Sequence, residues 1–155
     1  MIPVDNTSSF GHYAPSSIVK IIIYITRNVG TNWFSKRIIF LLRKIAILLS
    51  KECIDTNLFS AKLRLYTKGN VSEKRALFSP QIFEKDERDF IKGKCKDDSV
   101  FIDIGSNIGL YSFSVGGVYK KFKNTKIFSI EPQLVLALLS ERSAAALNNP
   151  CQVFV

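Results

Sequence analysis

An α/β fold is what the 155-residue sequence predicts: two or three parallel strands alternating with helices, behind a helical and β-hairpin N-terminal region. Three observations carry it. Residues 100–109, VFIDIGSNIG, run a strand-like apolar segment into a turn holding Gly105 and Gly109. A helix-compatible stretch then leads to a second apolar run, IFSIEP at 127–132, which closes on Glu131, 22 residues after Gly109. After a helix-compatible segment at 134–147 and a stop at Asn148-Asn149-Pro150, CQVFV (151–155) opens a third strand. Strand, glycine turn, helix, strand and acid is the order in which a nucleotide-like ligand is held at the carboxyl edge of a parallel sheet.

The elements divide the chain into four segments. Residues 1–17, a leader rich in Ser, Pro and Gly that contains the only histidine, His12, read as a flexible start rather than a site. Residues 18–60 read as a helical basic amphipathic region. Within it, 33–49 (WFSKRIIFLLRKIAILL) carries Ile38, Leu41, Leu42, Ile45, Leu48 and Leu49 on one broad helical face, with Lys36, Arg37, Arg43 and Lys44 on the other side. Such a helix can rest on an anionic membrane surface or pack its apolar face on the domain; packing is the favoured reading. Residues 61–96 read as a hairpin and helix leading into the core. There, AKLRLY (61–66) alternates as a half-exposed strand, Lys68-Gly69-Asn70 turn, and 75–78 return as its partner. A charged helix is expected at 83–92. Residues 97–155 hold the glycine turn itself, with Gly116-Gly117 weakening the first helix at about 1 kcal/mol per glycine relative to alanine.

Charge is uneven. Residues 1–60 hold 7 basic and 3 acidic groups, 61–96 hold 10 and 5, and 97–155 hold 5 and 5, so the excess of +9 lies ahead of the glycine turn. The apolar run at 18–25 is too short to span a bilayer, and charges interrupt any longer window. No secretory signal is recognisable, so a cytoplasmic location is expected, with a peripheral contact at the inner membrane face through 33–49 as the variant. Cys53, Cys95 and Cys151 are widely spaced without a CxxC, which speaks for free thiols and against zinc or a Cys–His nucleophile. Basic charge without an RNA motif or DNA-reading unit argues against nucleic acid.

At the turn, each residue type has a task. Gly105 lacks a Cβ, so the chain can bend sharply with a ligand against it. The amides of residues 107–110, at the start of the next helix, are expected to face a ligand carboxylate or phosphate. Asn107 stands where a dinucleotide fingerprint has its middle glycine, and Asp103 before the turn would repel a diphosphate. A ligand with a cationic or hydrogen-bond-donating end fits better, and S-adenosylmethionine carries an amino group, a sulfonium and a ribose. Glu131 is placed to accept from both ribose hydroxyls.

VFIDIGSNIGLYS with IEPQ behind it resembles the FkbM-type S-adenosylmethionine-dependent methyltransferases. The resemblance extends upstream through LRLYTKGNVSEKRALFSPQIFEKDERDFI (63–91) and covers about residues 62–133. It implies a partial Rossmann-like methyltransferase sheet, with S-adenosyl-L-methionine as cofactor. Asp103, Gly105, Ser106, Asn107 and Gly109 would then form the methionine-side loop, and Glu131 would hold the ribose. The acceptor implied is a small molecule or glycan, with O-methylation of a sugar, glycolipid or secondary metabolite by direct attack of an oxygen on the sulfonium methyl. The hairpin and helix at 61–96 would cover the cofactor mouth, with Asn70, Glu73 and Lys74 as polar residues to watch; ordinary surface charge is their plainer reading.

The resemblance also sets the strongest departure. The implied sheet has seven strands and this sequence supplies two to three, so the chain corresponds to a truncated domain with its first strand left as an edge. Marginal stability or poor solubility is expected. No catalytic base can be named. Two alternatives stand beside the enzyme: a catalytically inactive remnant, and a basic module binding a membrane surface.

Overall fold

The computed structural model describes residues 5, 7–145 and 151–154. The chain forms two compact units: one drawn mainly from residues 8–56 and 64–85, the other from 57–63 and 86–155.

The first unit begins with two helices, α1 (Ser17–Asn28) and α2 (Trp33–Leu48). Ser16 caps α1 by accepting from the Val19 amide, and Asn32 caps α2 by accepting from Ser35. The helices pack on each other, α1 burying Val19, Ile22, Ile23 and Thr26. On α2 the expected packing is overturned. Its buried side is Ser35, Ile39 and Ala46, whereas Ile38, Leu41, Ile45, Leu48 and Leu49 are exposed. The buried side lies about 110° round the helix from the larger apolar arc, so packing through Ile39 and Ala46 turns that arc outward.

The expected hairpin is also rearranged. β2 (Ala61–Leu65) pairs with β1 (Ile54–Leu58), and 75–78 lie in α3 (Val71–Phe78). Asn70 is the reason: its Oδ1 accepts from the Ser72 and Glu73 amides, an N-cap that commits the following residues to helix. Glu73 turns inward, 3% exposed, and accepts from the Tyr66 amide at 2.5 Å. Burial pushes its carboxyl up to about 7, against the downward pull of the Tyr66 and Asn70 hydrogen bonds. The polar residues singled out around the turn therefore include a helix cap and a buried carboxyl.

Part of the leader is tied down. Asp55 accepts from the Gly11 amide at 2.7 Å and the Tyr13 amide at 3.2 Å, and forms a two-point pair with buried Arg64 at 2.8 and 3.1 Å. Arg64 also donates to the Ser9 carbonyl and lies over the Tyr13 ring. Burial works to raise the Asp55 carboxyl, yet the Arg64 guanidinium and the two amides hold it below the ordinary value.

The second unit holds α4 (Lys85–Gly93), β3 (Val100–Ile104), α5 (Leu110–Tyr119), β4 (Lys126–Ile130), α6 (Leu134–Ala145) and β5 (Cys151–Phe154). The mixed α/β class is as expected, with a parallel sheet of order β3-β4-β5. The stop expected at 148–150 lies outside the described residues. Asp103 pairs in register with Ser129, and Ser112 of α5 bonds to Asp103, which places α5 on the sheet face that buries Ile127 and Ser129. The opposite face shows Val100, Ile102, Ile104 and Phe154 to solvent. Among the described residues β3 has a strand neighbour on one side only.

Gly117, expected only to weaken α5, has a packing reason. A Cβ there would meet Ser60 Oγ at 3.1 Å, where the β1–β2 turn passes. Phe59 and Ser60 in that turn both have positive φ, 52° and 61°, the primed geometry that matches strand twist. The Arg88 guanidinium covers the Phe59 ring at 4.6 Å.

Candidate functional site

The candidate site is the bend between β3 and α5 together with the tip of β4. Its loop is welded to β4. The Ile130 carbonyl accepts from the Gly105 amide at 2.9 Å and the Ser106 amide at 3.1 Å. Ser129 and Ser106, both buried, join through their hydroxyls at 2.7 Å. The bend is thus held as one rigid piece at the carboxyl end of the sheet, the place where parallel sheets take ligands.

The two acids flank this bend, and each serves the chain's own amides. Asp103 Oδ2 accepts from the Ser112 hydroxyl at 2.7 Å and the Ser112 amide at 3.2 Å. Ser112 sits in the first turn of α5, whose N-cap, Gly109, has no side chain to offer. Asp103 supplies the missing acceptor from the neighbouring strand, at the positive end of the helix. Its carboxyl is raised by partial burial, with the Ser112 bonds pulling the other way.

Glu131, 4% exposed, accepts from the Asn107 amide on Oε2 at 2.8 Å and from the Gln133 amide on Oε1 at 2.9 Å. Its own amide donates to the Phe154 carbonyl.

These contacts correct the expectation for the amides of 107–110. The Asn107 amide is taken by Glu131, the Ile108 amide by Asn107 Oδ1, and the Gly109 amide by the Ser106 carbonyl. The anion held by this loop is the protein's own carboxylate. Asn107 has positive φ, 54°, a conformation asparagine tolerates because its side chain bonds locally.

The two glycines have different reasons. Gly109, at φ +80°, is needed for packing: a Cβ would stand 2.6 Å from Ser140 Oγ and 2.9 Å from the Phe113 ring. Gly105, at φ +71°, is exposed, and a Cβ there would meet nothing within 4 Å. The outer side of the bend is therefore open.

This opening bears on whether an adenosyl ligand fits. Each Glu131 oxygen uses one lone pair on a backbone amide and keeps another. Asp103 spends Oδ2 on Ser112. Around Gly105 the bend is open, with no atom within 4 Å of where a Cβ would stand. These carboxylate oxygens are acceptors, which a hydroxyl or a cation could meet and a diphosphate would not, and Glu131 offers them from a side chain only 4% exposed. Ser112, Ser129 and the Gln133 amide were not singled out by sequence reasoning. Ser112 could have been found from the helix start, since it stands three residues past a glycine cap that needs an outside acceptor.

Elsewhere, a cavity of about 190 Å³ is lined by Tyr13, Pro15, Val19, Leu49 and Cys53 in the first unit, below the usual size of ligand pockets. Cys53 and Cys95 are free thiols. Among the described residues, no group of three or more His, Cys, Asp or Glu is arranged to hold a metal, and no helix is long and apolar enough to cross a membrane. Compared with models of known protein families and with curated proteins, the chain matches none.

Proposed function

We propose that the bend at 103–109 with Glu131 is an S-adenosylmethionine site, and that the chain is the cofactor-binding part of an FkbM-like O-methyltransferase. The observation that carries this reading is the pairing of a rigid, outwardly open Gly105 bend with two carboxylates at the tips of adjacent parallel strands. Glu131 would hold the ribose hydroxyls through its remaining lone pairs, and Asp103 would face the amino or sulfonium end. When bound, the cofactor supplies a methyl group on a sulfonium for an acceptor oxygen, in a sugar, glycolipid or secondary metabolite. The chain's own contribution is positioning: β4 and the Ser106–Ser129 bond keep the bend from relaxing when a ligand arrives.

The bare apolar face of the β3-β4-β5 sheet favours a second version of the same reading. Val100, Ile102 and Ile104 lie exposed where a doubly covered sheet would carry more structure, and an acceptor pocket would need that cover. In that version the chain is a catalytically silent relative of the enzyme.

Calorimetric titration with S-adenosylhomocysteine tests the cofactor site that both versions share, and methyl transfer from S-adenosylmethionine to an acceptor separates them. Binding that falls at least tenfold in Gly105→Ala, with folding retained, supports the cofactor site. No heat of binding in the folded wild-type chain removes the cofactor assignment.

A further inference from the structure

We propose that α1 and α2 form a docking surface for an anionic lipid bilayer, lying in the headgroup plane without crossing it. On α2, Phe34, Ile38, Leu41, Ile45, Leu48 and Leu49 fall within one arc of about 100°, and all are exposed. This arc faces away from Ser35, Ile39 and Ala46, the side that packs inward. Leu48 is 84% exposed and Trp33 66%, values unusual for the largest apolar side chains of a folded domain. α1 adds Ile18, Ile21, Tyr24 and Ile25, exposed on the side opposite its buried residues.

Charge selects the occupant. Residues 17–48 hold six basic groups and no acidic one. Arg37 and Lys44 border the apolar arc of α2, their cations seated on aromatic rings: Arg37 over Trp33 at 5.0 Å, Lys44 over Phe40 at 4.7 Å. An aromatic and aliphatic face rimmed by cations is the pattern that settles at an anionic interface. A second copy of the chain would bring like charge against like charge, and interface cores are depleted in charged residues. Nucleic acid would meet the cations but leave the aliphatic arc without a partner. Both helices fall short of a membrane-crossing length and hydropathy. The surface belongs to the first unit and the bend at 103–109 to the second, and its test does not depend on cofactor binding.

The full chain is mixed with phosphatidylcholine vesicles, with and without phosphatidylglycerol, and partitioning is read by flotation. Trp33, the only tryptophan, reports insertion through a blue-shifted emission and quenching by brominated acyl chains. Binding to the anionic vesicles with quenched Trp33 is expected. Arg37→Glu with Lys44→Glu should weaken partitioning about thirtyfold or more, from roughly fivefold per basic group near an anionic surface. Leu41→Ser with Leu48→Ser should abolish the quenching while circular dichroism stays native; Leu48→Ser alone serves if the pair fails to fold. Ile104→Ser, at an equally exposed apolar position on β3, should change neither readout. Three results overturn the proposal: equal binding to neutral vesicles, equal loss in Ile104→Ser, or no lipid binding. The last, combined with a dimer that Leu41→Ser dissociates, would assign the face to a second copy instead.

Discussion

Replacing Glu131 with glutamine tests whether the carboxylate at the tip of β4 holds the glycine loop in place. The side chain is 4% exposed, and its two oxygens accept separately from the Asn107 and Gln133 amides at 2.8 and 2.9 Å. Glutamine keeps the shape but has one acceptor oxygen, so one amide must face an NH₂ group. A hydrogen bond to a charged acceptor contributes about 1.5–3 kcal/mol, and a buried donor left unmatched costs about 1–3 kcal/mol. The two figures describe the same loss from opposite sides, so the expected destabilisation is about 2–3 kcal/mol. In a unit of this size that lowers the melting midpoint by on the order of 10 °C. Urea denaturation followed by circular dichroism gives the free energy, and hydrogen exchange at the Asn107 amide gives its location. Exchange at Asn107 should accelerate while amides inside β4 stay protected. A change below about 0.5 kcal/mol, with Asn107 exchange untouched, would refute the reasoning. It would mean that the carboxylate does not brace the loop.

Other outcomes follow from the same geometry. Gly109→Ala should cost about 2–4 kcal/mol, combining left-handed strain with overpacking against Ser140 and Phe113; Gly105→Ala should cost about 1–2 kcal/mol from strain alone, and equal urea shifts would disprove the distinction. Asp55→Ala strands the buried Arg64 guanidinium and should destabilise by about 3–5 kcal/mol; adding Arg64→Met should recover much of that, and a further loss in the double variant would count against the pair. Glu73 has a folded-state carboxyl raised from 4.5 to about 7, so the folded chain binds the proton more tightly than the unfolded one. Its contribution is therefore greatest below pH ~4.5 and is lost as pH rises toward ~7, about 3 kcal/mol in all. Urea midpoints measured across that window should fall with pH, and the corresponding slope should vanish in Glu73→Gln.

Several elements are legible in the amino-acid order alone. β3, α5, β4 and α6 follow from apolar runs of strand length, a glycine turn and a helix-compatible segment, all local signals. α4 is also visible as a charged helix, beginning two residues later than expected. The strand pairing around 54–78 is not. RALF at 75–78 is a short apolar run that suits either helix or strand, and the decision comes from Asn70 capping α3 while Glu73 bonds Tyr66. The Asn-x-x-Glu spacing at 70–73 is available as a helix-start signal and outranks the run that follows it.

By itself, the sequence determined the α/β alternation, the position of the glycine bend, the two acids beside it, and the concentration of positive charge ahead of residue 97. These depend on neighbours a few residues apart, whose spacing is written in the chain. Only the tertiary structure decided how those groups are used. It gave Asp103 to Ser112 and Glu131 to the loop amides, left Gly105 open while packing Gly109, and turned the large apolar arc of α2 outward. Each of these outcomes depends on which distant surface arrives opposite a given side chain. Hydrogen-bond capacity and apolar area are properties of a residue, but their partners are set by packing.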